Sequence, residues 1–177
     1  LDHLKAGRPL QRGRRHLGVV MAGGRTNAVR LLEQAGATFA THEYEPDPER
    51  LSATHVAATL EMPIERLFKT LVTVGASGNH FVFVIPGSLS LDLKKAARAA
   101  GEKRISMLPL RELEPLTGYV HGGCSPVGMK RALPTWIDES VLLFDSVLVS
   151  GGKRGLQVEL APKALVEIAG ASVADVT

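Results

Sequence analysis

Leu67-Phe68-Lys69-Thr70-Leu71-Val72-Thr73-Val74-Gly75-Ala76-Ser77-Gly78-Asn79-His80-Phe81-Val82-Phe83-Val84-Ile85 is the stretch on which the fold turns. Two apolar runs flank a segment of turn residues, Gly75 to Asn79, which predicts a β-hairpin with strands over 67–74 and 80–85. Alternation sets Leu67, Lys69 and Leu71 on one face of the first strand and Phe68, Thr70 and Val72 on the other. Both faces are otherwise apolar, so the strand is expected to be covered on both sides. Lys69 is out of place there, because burying an unpaired ammonium is costly. It must snorkel from a strand end, meet a carboxylate or hold an anionic ligand.

Outward from the hairpin the pattern is mixed. Thr26 caps a predicted helix with apolar residues Ala28, Val29, Leu31, Leu32 and Ala35, and Gly36 sits where a C′ glycine would end it. A strand is predicted over 38–44, before the acidic turn Glu45-Pro46-Asp47-Pro48-Glu49. Ser52 opens a short helix through Leu60, and Ser90 opens another that stops at Gly101. A weak helical turn over 110–116 leads into a glycine-rich run, Gly118 to Gly128. Strands are predicted over 135–138, 142–150 and 156–160, and Pro162 takes N1 of a last helix that stops at Gly170. Strands outnumber helices without regular βαβ alternation, which predicts a single mixed α/β (α+β) domain, its mixed sheet curved or partly closed with helices outside.

The chain has 177 residues, 45% hydrophobic and 22% charged, values of an ordinary globular domain. One cysteine, Cys124, excludes a disulfide scaffold and a cysteine-built zinc site. Glycine, asparagine and proline interrupt the long uncharged stretch from Leu71 to Leu91, so no membrane span is expected. The net charge of +3 is uneven. Lys5, Arg8, Arg12, Arg14 and Arg15 lie in residues 1–20 against Asp2, leaving the rest of the chain close to neutral. Residues 1–20 show no apolar periodicity and are expected to be a leader or extension outside the fold, which would occupy 21–177 from Met21.

Three further segments carry chemistry. Gly122-Gly123-Cys124-Ser125-Pro126-Val127-Gly128 lets backbone N–H groups approach an anion or carbonyl oxygen, or is simply a wide turn. Ser150-Gly151-Gly152-Lys153-Arg154-Gly155 lies between two strands and reads as a hairpin turn or as a loop carrying Ser150 and two cations to a phosphate. Lys94, Lys95, Arg98, Lys103 and Arg104 lie on or just after one helix, as a solvated face or a track for an RNA backbone. Cys124 and His121 have no orienting carboxylate nearby and are not read as a dyad. The histidines lack metal-ligand spacing.

Six segments in order make a more specific pattern: Phe68-Lys69-Thr70-Leu71; Leu91 to Lys95; Thr117-Gly118-Tyr119; Gly122-Gly123-x-Ser125-Pro126-x-Gly128; Leu133-Pro134-Thr135-x-Ile137-Asp138; and Val149 to Gly155. Over roughly residues 26–175 the chain resembles the YbaK-type Cys-tRNA(Pro) deacylases, relatives of the editing domain of bacterial prolyl-tRNA synthetases. The resemblance implies a barrel-like mixed β-sheet surrounded by helices, and hydrolysis of the ester joining a wrong amino acid to tRNA(Pro). It implies a catalytic Lys69 with the Gly122 and Gly123 backbone. It also implies substrate contacts from Tyr44, Thr70, Ser125, Ser150, Gly151, Gly152, Lys153 and Gln157. No cofactor, metal or protein nucleophile is implied. Mischarged tRNA(Pro) is the implied partner, prolyl-tRNA synthetase a further one, and the cytoplasm the implied location. Relatives often carry an aromatic residue near Ala53 and an aspartate where Gln157 stands. These departures leave open an Ala-tRNA(Pro) or other small-mischarge deacylase; a non-catalytic module that binds tRNA or a synthetase is the alternative of a different class.

Overall fold

The computed structural model describes residues 25–177. The expected leader over 1–20 lies outside the described residues.

The predicted hairpin forms as β2 (Phe68–Gly75) and β3 (His80–Pro86), antiparallel, with Lys69 opposite Ile85 and Leu71 opposite Phe83. Local signals set most helix ends. Helix α1 (Asn27–Gln34) starts where the Thr26 hydroxyl accepts from Val29 N–H, and Gly36 follows its end at φ +67°. After strand β1 (Phe39–Glu43), helix α2 (Ala53–Leu60) is capped by Ser52, whose hydroxyl accepts from His55 N–H. Helix α3 (Leu93–Ala100) ends at Gly101, as expected, but starts two residues later than predicted. Asp92, not Ser90, is its cap, accepting from the N–H groups of Lys94 and Lys95. The Asp92 N–H is tied to the Val176 carbonyl at 2.8 Å, which keeps residue 92 outside the helix.

Two strands of three residues each, β4 (Ile105–Met107) and β8 (Ser172–Ala174), were not predicted. The weak turn over 110–116 is a full helix, α4 (Leu110–Thr117), despite Pro115. Strand β5 (Thr135–Asp138) is as predicted, but the strand expected over 142–150 shrinks to β6 (Val147–Ser150). Asp138 caps a 3₁₀ turn over Glu139–Leu143, accepting from Ser140 N–H, and Leu142 and Leu143 are left exposed. Strand β7 (Leu156–Leu160) and helix α5 (Pro162–Ile168) complete the chain order before β8.

The strands form two sheets, β1-β7-β6 and β4-β2-β3-β5-β8. Neither closes, which corrects the barrel-like expectation. The link between them among the described strands is a single parallel bridge, Leu67 to Leu148, too short to continue one sheet into the other. The main core fills one side of both sheets, with Phe68 and Val72 of β2, Val147 and Val149 of β6, and Leu156 and Val158 of β7 meeting α1 and α5. Two smaller clusters cover the other side. Val56 and Ala57 of α2 pack on Leu67 and Leu148, and Ala96 and Ala97 of α3 pack on Phe83 and Ile85 with Leu71 beside them. Lys69 thus emerges between the part of this face covered by α2 and the part covered by α3.

Leu148 is fully buried where the two sheets meet. Leu148→Ala is expected to cost about 2–5 kcal/mol of unfolding free energy in a denaturant titration, with the larger values expected if the junction cannot collapse around the hole.

Candidate functional site

The site builds from the Leu67 to Leu148 bridge. The bridge is parallel, and Lys69 and Ser150 each lie two residues beyond it on the same face, so their strands carry them onward side by side. Gln157 is the antiparallel partner of Ser150 and shares its face, and His42 of β1 is the next partner across. Tyr44, two residues past His42, packs with Leu67, Leu148 and the α2 residues. A row of polar residues from four strands therefore runs across the sheet junction beside α2.

The Lys69 ammonium donates to the Gly87 carbonyl at 3.2 Å. Among the described residues no carboxylate pairs with it. Burial pulls its pKa below the ordinary 10.5. Gly87 is tightly enclosed: a Cβ there would meet the Ala53 Cβ at 2.5 Å and the Leu67 carbonyl at 3.0 Å. Ala53 thus forms the wall beside the lysine's acceptor. Gln157 is buried, and its Oε1 has no hydrogen-bond partner. A buried orphan acceptor beside a half-buried cation suits a ligand that offers both a donor and a negative or carbonyl oxygen. The Ser150 hydroxyl accepts from Gly152 N–H at 3.2 Å, which leaves its own proton for another acceptor.

Two glycine bends meet next to this row. A Cβ on Gly123 would lie 2.9 Å from the Lys153 Cα and the Arg154 N, so only glycine lets the bends approach this closely. Arg154 Nε donates to the His121 carbonyl at 2.9 Å across the same gap. Gly122 faces Leu51, just before α2. Tyr119 pins the first bend by donating to the Val127 carbonyl at 2.7 Å, and burial pushes its phenol up to about 12. Thr26 pins the second bend by donating to the Gly151 carbonyl.

Other expected site residues have different surroundings. Thr70 faces the main core side of β2, away from Lys69, with its Oγ1 buried and unpartnered. Ser125 is fully buried, and its hydroxyl accepts from Val127 N–H, a contact that builds the bend. Gly123 N–H donates to the Val120 carbonyl, while the amides of Gly122 and Cys124 have no acceptor among the described residues. Lys153 is half-buried in the second bend. Cys124 lies in the main core, its thiol pushed up to about 12 by burial, which makes it a poor nucleophile. Among the described residues no group of three or more His, Cys, Asp or Glu side chains could hold a metal ion.

Sequence reasoning missed a cluster behind the row. Glu159 is 6% exposed and bonds His42 Nε2 at 2.8 Å, Ser146 Oγ at 2.7 Å and the Arg66 guanidinium. Arg66 also donates from Nε to the Ser146 carbonyl at 3.1 Å. It directly precedes Leu67, so the cluster clamps the start of β2 to β7 and to the loop leading into β6. Burial alone would raise the Glu159 carboxyl, but hydrogen bonds from Ser146, His42 and Arg66 outweigh it and hold it below the ordinary 4.5. A carboxylate lowered on folding lends stability above its unfolded pKa, and that stability is lost as pH falls through the folded value. Glu159→Gln is expected to cost about 2 kcal/mol at neutral pH, less than a fully buried pair because Arg66 and His42 keep partial solvent contact. It is also expected to flatten the loss of stability below pH 4.5 in acid titrations followed by circular dichroism.

The comparisons with known proteins converge. The model of the aminoacyl-tRNA editing domain matches residues 47–168. A protein of Enterococcus faecalis, EbsC, whose name is that of a Cys-tRNA(Pro)/Cys-tRNA(Cys) deacylase, is 45% identical over 153 residues, covering 86% of this chain and 93% of its own. The crystal structure of a protein described as a trans-editing enzyme for prolyl-tRNA synthetase superposes with TM-score 0.72 at 30% identity, over 85% of this chain and 96% of that one. The structure of protein APE2540 superposes at 0.77 with 28% identity, over 85% and 98%.

Proposed function

The chain belongs to the aminoacyl-tRNA editing domain family, and on that footing we propose that it deacylates mischarged Cys-tRNA(Pro) in trans. The observation that carries this reading is the half-buried Lys69 ammonium, whose partner among the described residues is the Gly87 carbonyl, beside the polar row across the sheet junction. The name borne by the Enterococcus relative supports the substrate.

An aminoacyl ester is already reactive, so the protein has mainly to hold it and stabilise the oxyanion. In this reading Lys69 holds the terminal phosphate or polarises the ester carbonyl. The oxyanion falls to the amides of Gly122 and Cys124, since the Gly123 amide is engaged. Gln157 Oε1 accepts from the substrate's ammonium, and Ser150 and Tyr44 position the amino acid and terminal adenosine. The bend at Gly151, Gly152 and Lys153 borders that end of the site. For a cysteinyl ester the substrate brings its own nucleophile. The thiol gives up its proton, sulfur attacks its own carbonyl carbon, the C–O bond to the ribose breaks, and the ribose oxygen takes a proton. The thiolactone released is then hydrolysed by water. Such editing meets a physical need: cysteine and alanine are no larger than proline, and a synthetase pocket gains only about 1–3 kcal/mol per methylene-sized difference. Prolyl-tRNA synthetase, which supplies the mischarged product, is the natural accompanying partner.

A panel of Cys-, Ala- and Ser-tRNA(Pro), incubated with the full chain with and without prolyl-tRNA synthetase, tests the proposal. Cys-tRNA(Pro) is expected to be cleaved at least about ten-fold faster than Ser-tRNA(Pro), because sulfur is the better nucleophile. Equal rates for the two would assign the attack to water. Preferential cleavage of Ala-tRNA(Pro) would move the specificity to alanine. Retention of tRNA in a gel with no amino acid released would make this a binding module.

A further inference from the structure

Helix α3 packs its inner side, Ala96 and Ala97, on the sheet face that carries Lys69. Its start is tied to the site by chain connectivity, because Gly87, whose carbonyl holds Lys69, lies six residues before Leu93. Five cations occupy α3 and the segment after it, and the structure sorts them. Lys95 is committed internally: its ammonium bonds the Asp175 carboxylate at 2.9 Å and the Thr177 carbonyl at 2.6 Å. Lys94, Arg98, Lys103 and Arg104 are exposed, and among the described residues no carboxylate forms an ion pair with them, although Asp92 at the helix cap lies close enough to feel the Lys94 charge. Lys94 and Arg98 are four residues apart, so they share the solvent-facing side of α3 about 6 Å apart along its axis. Lys103 and Arg104 follow Gly101 in the segment that leads into β4.

We propose that Lys94 and Arg98, continued by Lys103 and Arg104, form a phosphate-binding track along which the acceptor stem of the aminoacylated RNA lies, with its 3′ end at Lys69. The proposal rests on the deacylase reading and adds where the body of the substrate sits. The polyanion is favoured over an acidic protein surface because Lys94 and Arg98 lie on the helix that packs on the sheet face of Lys69, the cation assigned to the reacting end. A chain without net positive charge outside residues 1–20 also needs a local cluster of this kind to bind RNA electrostatically.

The test separates docking from chemistry. Lys94→Glu/Arg98→Glu and a control, Lys163→Glu on α5, are compared with the wild-type chain after matched melting curves confirm folding. Fluorescence anisotropy with an uncharged acceptor-stem hairpin of RNA reads docking across a salt series. Hydrolysis of 3′-O-cysteinyl adenosine, which lacks the stem, reads the site alone. The double variant is expected to bind the hairpin at least ten-fold more weakly and to flatten the slope of log K against log salt by roughly 1.4–1.8, about 0.7–0.9 for each of two lost phosphate contacts. It is expected to hydrolyse the adenosine ester within two-fold of wild type, and the control is expected to match wild type in both assays. Unchanged hairpin affinity and slope would overturn the track. So would lost capture of prolyl-tRNA synthetase with RNA binding intact, which would make α3 a protein-docking surface. If the wild type cleaves neither this ester nor Cys-tRNA(Pro), the deacylase reading falls, and the hairpin titration still decides the track.

Discussion

A lysine ammonium drawn partly out of water, with a backbone carbonyl as its partner, is the constraint around which this structure is arranged. Desolvation works against its charge. Two apolar clusters on the same sheet face, one under α2 and one under α3, define the gap from which the side chain emerges. The Gly87 carbonyl, itself closed in by Ala53, accepts from its ammonium.

The remaining architecture serves alignment. Among the described residues two sheets meet at one parallel bridge, and that bridge sets the register between Lys69 on one sheet and Ser150 and Gln157 on the other. A junction of one backbone bridge is weak by itself. The Arg66, Ser146, Glu159 and His42 cluster reinforces it from the same side with charge-assisted bonds. Close approach of the two glycine bends, pinned by Tyr119 and Thr26, fixes the backbone of both beside the row. A pre-aligned cation with fixed backbone donors suits a reaction whose substrate is already activated and needs little further machinery.

Much of this was legible in the sequence, wherever the signal is local. The hairpin follows from two apolar runs around a five-residue segment of turn residues. Thr26, Ser52, Gly36 and Gly101 mark helix ends because capping needs particular side chains at particular backbone angles. Lys69 stands out as the charge in an apolar strand. What was hidden depends on partners far apart in the chain. Arg66, Ser146, Glu159 and His42 share no spacing that would mark them as a cluster. The α3 cap fell to Asp92 because Val176, 84 residues later, holds its N–H. Ser125 shows the limit of motif reading: a hydroxyl in a glycine-rich loop has the same sequence signature whether it faces a ligand or, as here, builds the turn. β4 and β8 are too short for alternation to register.

The central claim is that the Lys69 charge serves the reaction and not the fold. Single-turnover deacylation of Cys-tRNA(Pro) by Lys69→Ala, with melting temperature followed in parallel, tests it most directly. The expected result is a loss of roughly 10²–10³-fold in rate in a protein that melts at or above the wild-type temperature. A folded Lys69→Ala chain that turns over substrate at the wild-type rate would contradict the account.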